Sequence, residues 1–580
     1  MNVLIIGGGI SGISAAKVAL KEGHKVTVIE STSEVGGLMA RIANCRVGFK
    51  TFFDEIKENK GLTVITEGVI SSVERKDGVF SVALENGELL SADKVIIATG
   101  LTPYNPVEYK GKRVLTSLEY DKIIDQRVGD LPADFNRVAF VLCVGSRCEE
   151  YPLCSSVCCS YTIREIKWTL QRAKPEIKVF YNDIRFFGQE FYLEKLYRDA
   201  GVAFVRASSR YFDEDETGVT MRYYSGGELK EERFEYVVLA IGLRPNPELQ
   251  RLSRLFGFSL NESGFVKEAE PLTTDVEGIY ASGGALEPIN IKDSILTGFG
   301  AGILALRGRD FPVDVIQNQD KLYKEEEPEI TIPENGSSYL FYIGTEDTGS
   351  AVFYEYISSR FISLARGLKK EGKTVYVVTR NMVAPSYAEL AYEKARREGV
   401  VFIHLEEGDS VGFGHGEAWF SGPARVFTLT VDTVVRFEDY AALFKDREFL
   451  SLYRSEPQLR WSPTKWARKK YHVGFIRHPR GERWEAREIL GALGEILLDS
   501  EEDRALPHVN EERCSGCGSC KDACPHSAIE LQIMETSIAV FGPHAVSGVP
   551  IAHVKEDTCV GCGLCASTCP SDVISYPETV

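Results

Sequence analysis

The chain has 580 residues, of which 44% are hydrophobic and 26% charged, enough for about three to five folded domains. Its formal net charge of −17 argues against nucleic acid and against an anionic membrane surface as partners. No apolar run reaches the ~18 residues of a spanning helix and no basic leader precedes the first strand. The expectation is a cytosolic (cytoplasmic) protein with no direct membrane insertion. Its 14 cysteines are grouped rather than dispersed as pairs, which suits a reducing compartment.

In chain order, residues 3–6 read as a buried strand. Gly7, Gly9 and Gly12 then form G-x-G-x-x-G ahead of a helical stretch. The first glycine permits a tight turn, the second lets backbone approach a pyrophosphate, and the third lets helix pack on strand. A second strand, Lys25 to Ile29, ends in Glu30, placed to accept the adenosine ribose hydroxyls. Gly36 and Gly37 follow. The segments Val95 to Gly100, Val237 to Gly242 and Gly278 to Gly284 each end a β-rich run in glycine. This set resembles the FAD-binding disulfide reductase-like family. The resemblance implies FAD, held by Gly7, Gly9, Gly12, Glu30, Gly36, Gly37, Val69, Thr99, Gly100, Gly283 and Gly284. Gly284 stands where the family carries Asp.

That family normally has a second glycine fingerprint after the strand at Arg137 to Leu142, for NAD(P)H. Here Cys143, Cys148, Cys154, Cys158 and Cys159 stand instead. No second fingerprint and no C-x-x-C dithiol near the flavin segments occur. Thiols packed this densely are reactive unless metal-bound. The C-x10-C-x3-C-C group, with the flanking Val144 to Arg147 and the segment Lys178 to Gly188, resembles HdrA, the A component of heterodisulfide reductase, and its relatives. The resemblance implies a flavin-proximal cluster on Cys143, Cys154, Cys158 and Cys159, with Cys148 as an alternative ligand. It also places Arg164 near the flavin, where the family usually has Lys. Arginine stays protonated, so it can stabilise a reduced anionic flavin but not shuttle a proton. The family's additional ferredoxin insertion is missing from residues 38–95, and Cys45 is a candidate remnant of where it would begin.

Charge, Pro and Gly mark a linker over 311–337. Beyond it the chain repeats itself. Gly201 and Gly399, Gly145 and Gly344, and Gly278 and Gly474 stand at offsets of 198, 199 and 196. In the second copy Tyr342, Phe353, Ile357 and Ser358 replace the four cysteines. The expectation is a scaffold packed beside the first copy, or a partner surface. His404, His415, His472 and His478 show no ligand spacing and read as core or surface residues. The basic run from Lys465 to Lys470 reads as a solvated face.

Near the C-terminus, Cys514, Cys517, Cys520 and Cys524 precede Pro525, and Cys559, Cys562, Cys565 and Cys569 precede Pro570. Both runs have the C-x2-C-x2-C-x3-C-P spacing of two-cluster bacterial ferredoxins, in which the fourth Cys ligates the other cluster. One [4Fe–4S] cube is assigned to Cys514, Cys517, Cys520 and Cys569. The other is assigned to Cys559, Cys562, Cys565 and Cys524.

The expected fold class is α/β: an FAD-binding two-dinucleotide-binding-domain fold, a degenerate α/β repeat and a two-cluster ferredoxin domain. The expected boundaries are 1–130 and 265–310 for the FAD-binding domain, 131–264 for the inserted α/β domain, 338–500 for the second repeat and 505–580 for the ferredoxin domain. The resemblance implies an oxidoreductase subunit with one FAD and three [4Fe–4S] clusters. It would work beside subunits resembling heterodisulfide reductase B and C and an electron-donating or accepting protein, in chemistry that in this family extends to electron bifurcation. The alternative is an NAD(P)H-dependent flavin and iron–sulfur oxidoreductase resembling the glutamate synthase small subunit, which would need the missing fingerprint.

Overall fold

The structure is a computed structural model. It describes residues 1–308 except 110, 126–130, 133 and 187–192. Of the remainder it describes 322–325, 332–333, 336–344, 354–406, 408–414, 416–423, 426–436, 465–467, 470–474 and 482–498. Beyond 507 the description is discontinuous and includes Cys514, Cys520, Cys524, Cys559 and Cys565. Cys517, Cys562, Cys569, Phe353, His415 and His478 lie outside the described residues.

The chain opens with β1 (Asn2–Ile6), α1 (Ile10–Lys21) and β2 (Lys25–Ile29). The two strands are parallel and in register from Asn2 with Lys25 to Ile6 with Ile29. Their apolar runs suit strands covered on both faces. Two helices, α2 (Gly37–Arg41) and α3 (Ala43–Asp54), lead to β3 (Leu62–Ile65). An antiparallel sheet of β4 (Ile70–Lys76), β5 (Val79–Leu84) and β6 (Leu89–Ala92) follows. On β5 alternate residues Phe80, Val82 and Leu84 are buried, the period of two that fixes which face meets the core. The chain returns as β7 (Lys94–Ile97) and leaves through β8 (Leu101–Pro103).

A second sheet then forms. It uses β9 (Val114–Thr116), α4 (Ser117–Ile124), β10 (Arg137–Val144), α5 (Cys158–Arg172), β11 (Glu176–Tyr181), α6 (Leu193–Asp199) and β12 (Ala203–Arg206). A three-stranded antiparallel layer, β13 (Ser208–Glu214), β14 (Val219–Ser225) and β15 (Glu228–Phe234), precedes β16 (Tyr236–Ile241). The parallel order is β12-β11-β10-β16-β9. The chain crosses back through β17 (Leu243–Pro245), antiparallel to β8. Next come α7 (Glu248–Phe256), β18 (Ile279–Ala281) and α8 (Ile291–Arg307). The first sheet has the order β18-β7-β1-β2-β3.

The repeat is visible strand by strand. Past β19 (Leu322–Glu325) come β20 (Ser338–Ile343), α9 (Tyr354–Lys370), β21 (Thr374–Thr379), α10 (Ala388–Arg397) and β22 (Val401–His404). An antiparallel layer of β23 (Ser410–Gly414), β24 (Glu417–Ser421) and β25 (Val426–Thr430) precedes β26 (Thr433–Arg436). The order β22-β21-β20-β26 reproduces β12-β11-β10-β16. Strand starts at 176 and 374, 203 and 401, 219 and 417, and 228 and 426 keep one offset. The chain continues through β27 (Lys465–Ala467) and β28 (Lys470–Gly474), which is parallel to β19 as β18 is to β7. It then forms α11 (Glu482–Leu498).

Helix α11 packs on α8, and α8 packs on α1. Small residues set the spacing. A Cβ on Gly298 would stand 2.4 Å from the Ser11 carbonyl oxygen on α1, and one on Gly300 would stand 3.1 Å from Leu490 Cβ on α11. Ile295, Leu296 and Phe299 are fully or almost fully buried here, worth roughly 1.5–3 kcal/mol each. The junction also carries charge. Buried Arg487 on α11 donates to Glu268 (2.5 and 3.1 Å) and to Glu287 (2.5 Å). The second repeat is thereby fastened to the FAD-side core. In the C-terminal part, β29 (His508–Val509), β30 (Ile529–Ile533), β31 (Ile538–Phe541), β32 (His544–Ser547), β33 (Pro550–Val554) and β34 (Ile574–Ser575) form three two-stranded sheets. Among the described residues no helix is long and apolar enough to cross a membrane.

Candidate redox centre

The glycines after β1 form a cradle. Gly7 has φ +112°, and a Cβ there would stand 2.2 Å from the Ala98 carbonyl oxygen. A Cβ on Gly12 would stand 2.0 Å from the Gly7 oxygen. Side chains at these two positions would break the turn. Gly9 differs: nothing lies within 4 Å of its Cβ position. The space over its backbone is open at the N-terminus of α1, where a phosphate is favoured. Glu30 is buried at the end of β2. It accepts from the Gly8 N–H and from the Thr32 N–H and hydroxyl, all at 2.9 Å. Gly36 and Gly37 both have positive φ, and the Gly36 N–H bonds to Gly8 O at 2.9 Å. Val69 is exposed, next to Gly68, whose N–H bonds to Glu30 O. Thr99 Oγ1 is buried with no hydrogen-bond partner. Gly283 and Gly284 are buried, just past the Ser282 N–H that bonds to Ile97 O at the end of β7. A Cβ on Gly284 would stand 2.5 Å from Leu101 Cγ, so this backbone has no room for the Asp common in the resembled family. Open space over Gly9 and an orphaned hydroxyl at Thr99 fit an FAD.

The cysteine loop joins β10 to α5. Cys154, Cys158 and Cys159 are buried and Cys143 is half-buried. The β10–β16 register shifts between Val141 and Val144, a bulge that re-aims a side chain. Cys143, Arg147 and Ser156 all have positive φ although none is glycine, a concentration of strain typical of functional loops. The thiols lie close together. The Cys143 thiol is pushed up by its hydrogen bond with Cys158 and by burial, and burial pushes up that of Cys154. The Ser156 N–H donates to Cys154 Sγ at 3.4 Å, and Arg147 lies 4.0 Å from Cys143 Sγ. Among the described residues no three His, Cys, Asp or Glu side chains converge on a single-ion site. Four gathered thiols with N–H and guanidinium donors suit a cluster cage. Cys148 stands apart, exposed, on the rim of a cavity of about 1180 Å³ between the two repeats. Arg164 is exposed on α5, close enough to Cys45 to offset part of the rise that burial causes in that thiol.

Two segments noted in the sequence meet here. Arg147 pairs with Asp183 at 2.7 Å. The second repeat completes the group. Glu389 pairs with Arg147 at 3.1 Å and with Arg185, and His404 Nδ1 lies 3.4 Å from Asp183. Burial would raise the Asp183 carboxyl, but Arg147, His404, Arg185 and Arg206 hold it well below the usual range. Sequence reasoning missed this network, and Glu389 carries no local signal for it. In the second copy, Ile357 and Ser358 are buried at the positions of Cys158 and Cys159. In the C-terminal part, Cys514, Cys520, Cys559 and Cys565 are buried, and Cys524 Sγ accepts from the Ala528 N–H at 3.2 Å.

These features define a flavoprotein-type α/β oxidoreductase with an iron–sulfur appendage. Residues 1–131 match the pyridine nucleotide-disulphide oxidoreductase family, and residues 513–573 match the 4Fe-4S dicluster domain. Among curated proteins, the chain is 31% identical over 242 residues to the A subunit of the H(2):CoB-CoM heterodisulfide,ferredoxin reductase of Methanothermobacter thermautotrophicus, covering 36% of each. It is 25% identical over 422 residues to the iron-sulfur A subunit of the CoB--CoM heterodisulfide reductase of Methanocaldococcus jannaschii, covering 52% of this chain and 63% of that one. The chain is thus similar to the A subunits of heterodisulfide reductases, and the match spans about a third of the first relative's length. Among solved structures, T. acidophilum thioredoxin reductase is 20% identical with a TM-score of 0.40, covering 52% of this chain and 96% of its own.

Proposed function

We propose that the chain is an FAD- and iron–sulfur-containing electron-transfer subunit of a heterodisulfide-reductase-type complex. FAD supplies two-electron chemistry that can be split into single electrons. The carrying observation is that buried, crowded thiols on a strained loop occupy the strand–helix turn where a nicotinamide fingerprint would stand. Cys143, Cys154, Cys158 and Cys159 hold a third cluster in this reading. The two ferredoxin cubes, with Cys524 and Cys569 crossed between them, pass electrons to or from a partner. Partners resemble heterodisulfide reductase B and C. Arg164 stabilises negative charge near the flavin, and Arg147 does so at Cys143.

Anaerobic analysis tests the cofactor load. One FAD and about twelve iron atoms per chain are expected from three [4Fe–4S] clusters. About eight iron atoms would remove the third cluster. Reduction by a low-potential iron–sulfur protein, with none by NADH or NADPH, is the expected donor pattern. Steady turnover with either nucleotide would favour the glutamate synthase-like alternative.

A further inference from the structure

Glu165 lies on α5, six residues past Cys159, roughly 9 Å along the helix axis. It is fully buried, and neither carboxyl oxygen has a hydrogen-bond partner. Such a group is costly to bury as a carboxylate. A second buried carboxyl, Asp121 on α4, acts on it electrostatically. Two carboxyls in one dry site do not both ionise. Burial, then Asp121, pushes the Glu165 carboxyl well above the ordinary carboxylate range.

The surroundings point to the redox centre. Tyr161 on α5 lies beside both Glu165 and Asp121, and its hydroxyl is buried with them. Tyr120 on α4 faces Glu165, with Arg172 further along α5. Cys45 on α3 feels both Arg164 and Asp121. Helix α3 comes after the short α2 that begins at Gly37, and a Cβ on Gly36 would stand 3.0 Å from its Phe49. The strands beneath α5 contribute apolar residues, Phe140, Leu142, Val238 and Ala240. Glu165 therefore sits in a buried polar pocket where α4 meets the cysteine-bearing α5, with Cys45 of α3 beside Asp121 and Tyr161.

We infer that Glu165 is the internal proton donor of the redox centre, keeping its carboxyl protonated at rest and giving that proton to the FAD as it is reduced. The inference rests on the functional reading above. The electron pair comes from a reduced low-potential iron–sulfur protein, one electron at a time. The proton leaves the Glu165 carboxyl for a flavin nitrogen, and the carboxylate regains a proton from solvent. No bond between heavy atoms forms or breaks. Arg164 cannot serve, because a guanidinium does not give up its proton.

The test uses the full chain with its cofactors, comparing wild type with Glu165→Gln and Glu165→Asp. In wild type, the infrared spectrum of oxidised protein near neutral pH should show a protonated carboxyl band that Glu165→Gln removes. Rapid reduction of FAD by reduced ferredoxin should be slower in D2O than in H2O. Glu165→Gln should slow it by about 100-fold or more, the usual range for a general acid, and should abolish the isotope sensitivity. Glu165→Asp should restore part of both. FAD content should not change, which separates proton donation from a merely structural role. Wild-type rate and isotope effect in the Gln variant, or a carboxyl band that survives in it, would overturn the inference and leave the functional reading standing. A wild-type chain without redox-active FAD would overturn that reading, and this inference with it.

Discussion

At the scale of single residues, Arg487 and Asp183 are buried among opposite charges, whereas neither oxygen of buried Glu165 has a hydrogen-bond partner. Arg487 has two carboxylates, and Asp183 has guanidinium groups around it. Removing one member of such a group strands the others and costs about 3–5 kcal/mol. Glu165 has no such support. Its stability contribution therefore runs opposite to that of a paired carboxylate. Unfolded Glu ionises around pH 4.3, whereas folded Glu165 keeps its proton to a well higher pH. Between those two values the folded state binds more protons than the unfolded state, so stability falls as pH rises. Glutamine removes this cost. Thermal unfolding of Glu165→Gln and wild type should be closest at about pH 4 and below. By pH 8 the variant should have gained relative to wild type. A gap that is constant across that range would mean Glu165 is not held neutral.

At the scale of elements, α8 is the central post, with α1 on one side and α11 on the other. Its glycines are spaced for this. Gly298→Val would drive a side chain into the Ser11 carbonyl, itself on the helix whose N-terminus faces the phosphate cradle. Overpacking of this kind costs about 1–3 kcal/mol. The variant should have a lower melting temperature and a reduced FAD-to-protein ratio. Gly367 on α9 is the control, since nothing lies within 4 Å of its Cβ position. Gly367→Ala should stabilise by about 0.5–1 kcal/mol, with FAD content unchanged. These elements also show what was legible. The glycine cradle is written in consecutive residues, because one turn must supply both clearance and N–H groups. The duplication was legible too, since copied strands keep their spacing. The role of α11 was not. Its contacts join Gly491 to Leu296 and Arg487 to Glu287, residues about two hundred apart, and no local period encodes such a pair. Likewise β9 and α4 precede β10 by more than a dozen residues, yet β9 hydrogen-bonds into the second sheet beside β16.

At the scale of the whole molecule, two sheets stand on either side of one crossing, β8 against β17. The glycine cradle belongs to the first sheet and the cysteine loop to the second. A pair of variants can therefore break the proposed electron path at either end. Gly9→Val is the cleaner of the glycine changes. A Cβ there would have no protein atom within 4 Å outside its chain neighbours, whereas one at Gly7 or Gly12 would strike backbone. It should keep the fold and expel FAD by filling the space a pyrophosphate needs. Cys158→Ala trims a buried thiol and leaves the cradle untouched, so FAD should stay at full occupancy. Iron should fall by about four atoms, one [4Fe–4S] cluster. The C-terminal clusters should keep their electron paramagnetic resonance signals in both variants, since their cysteines lie past residue 513. Fast transfer between flavin and those clusters should disappear in Cys158→Ala. If rapid-reaction spectra of that variant show transfer at the wild-type rate, the cysteine loop is not on the path. The iron–sulfur appendage would then take its electrons from the flavin by another route, even in a chain with every cofactor in place.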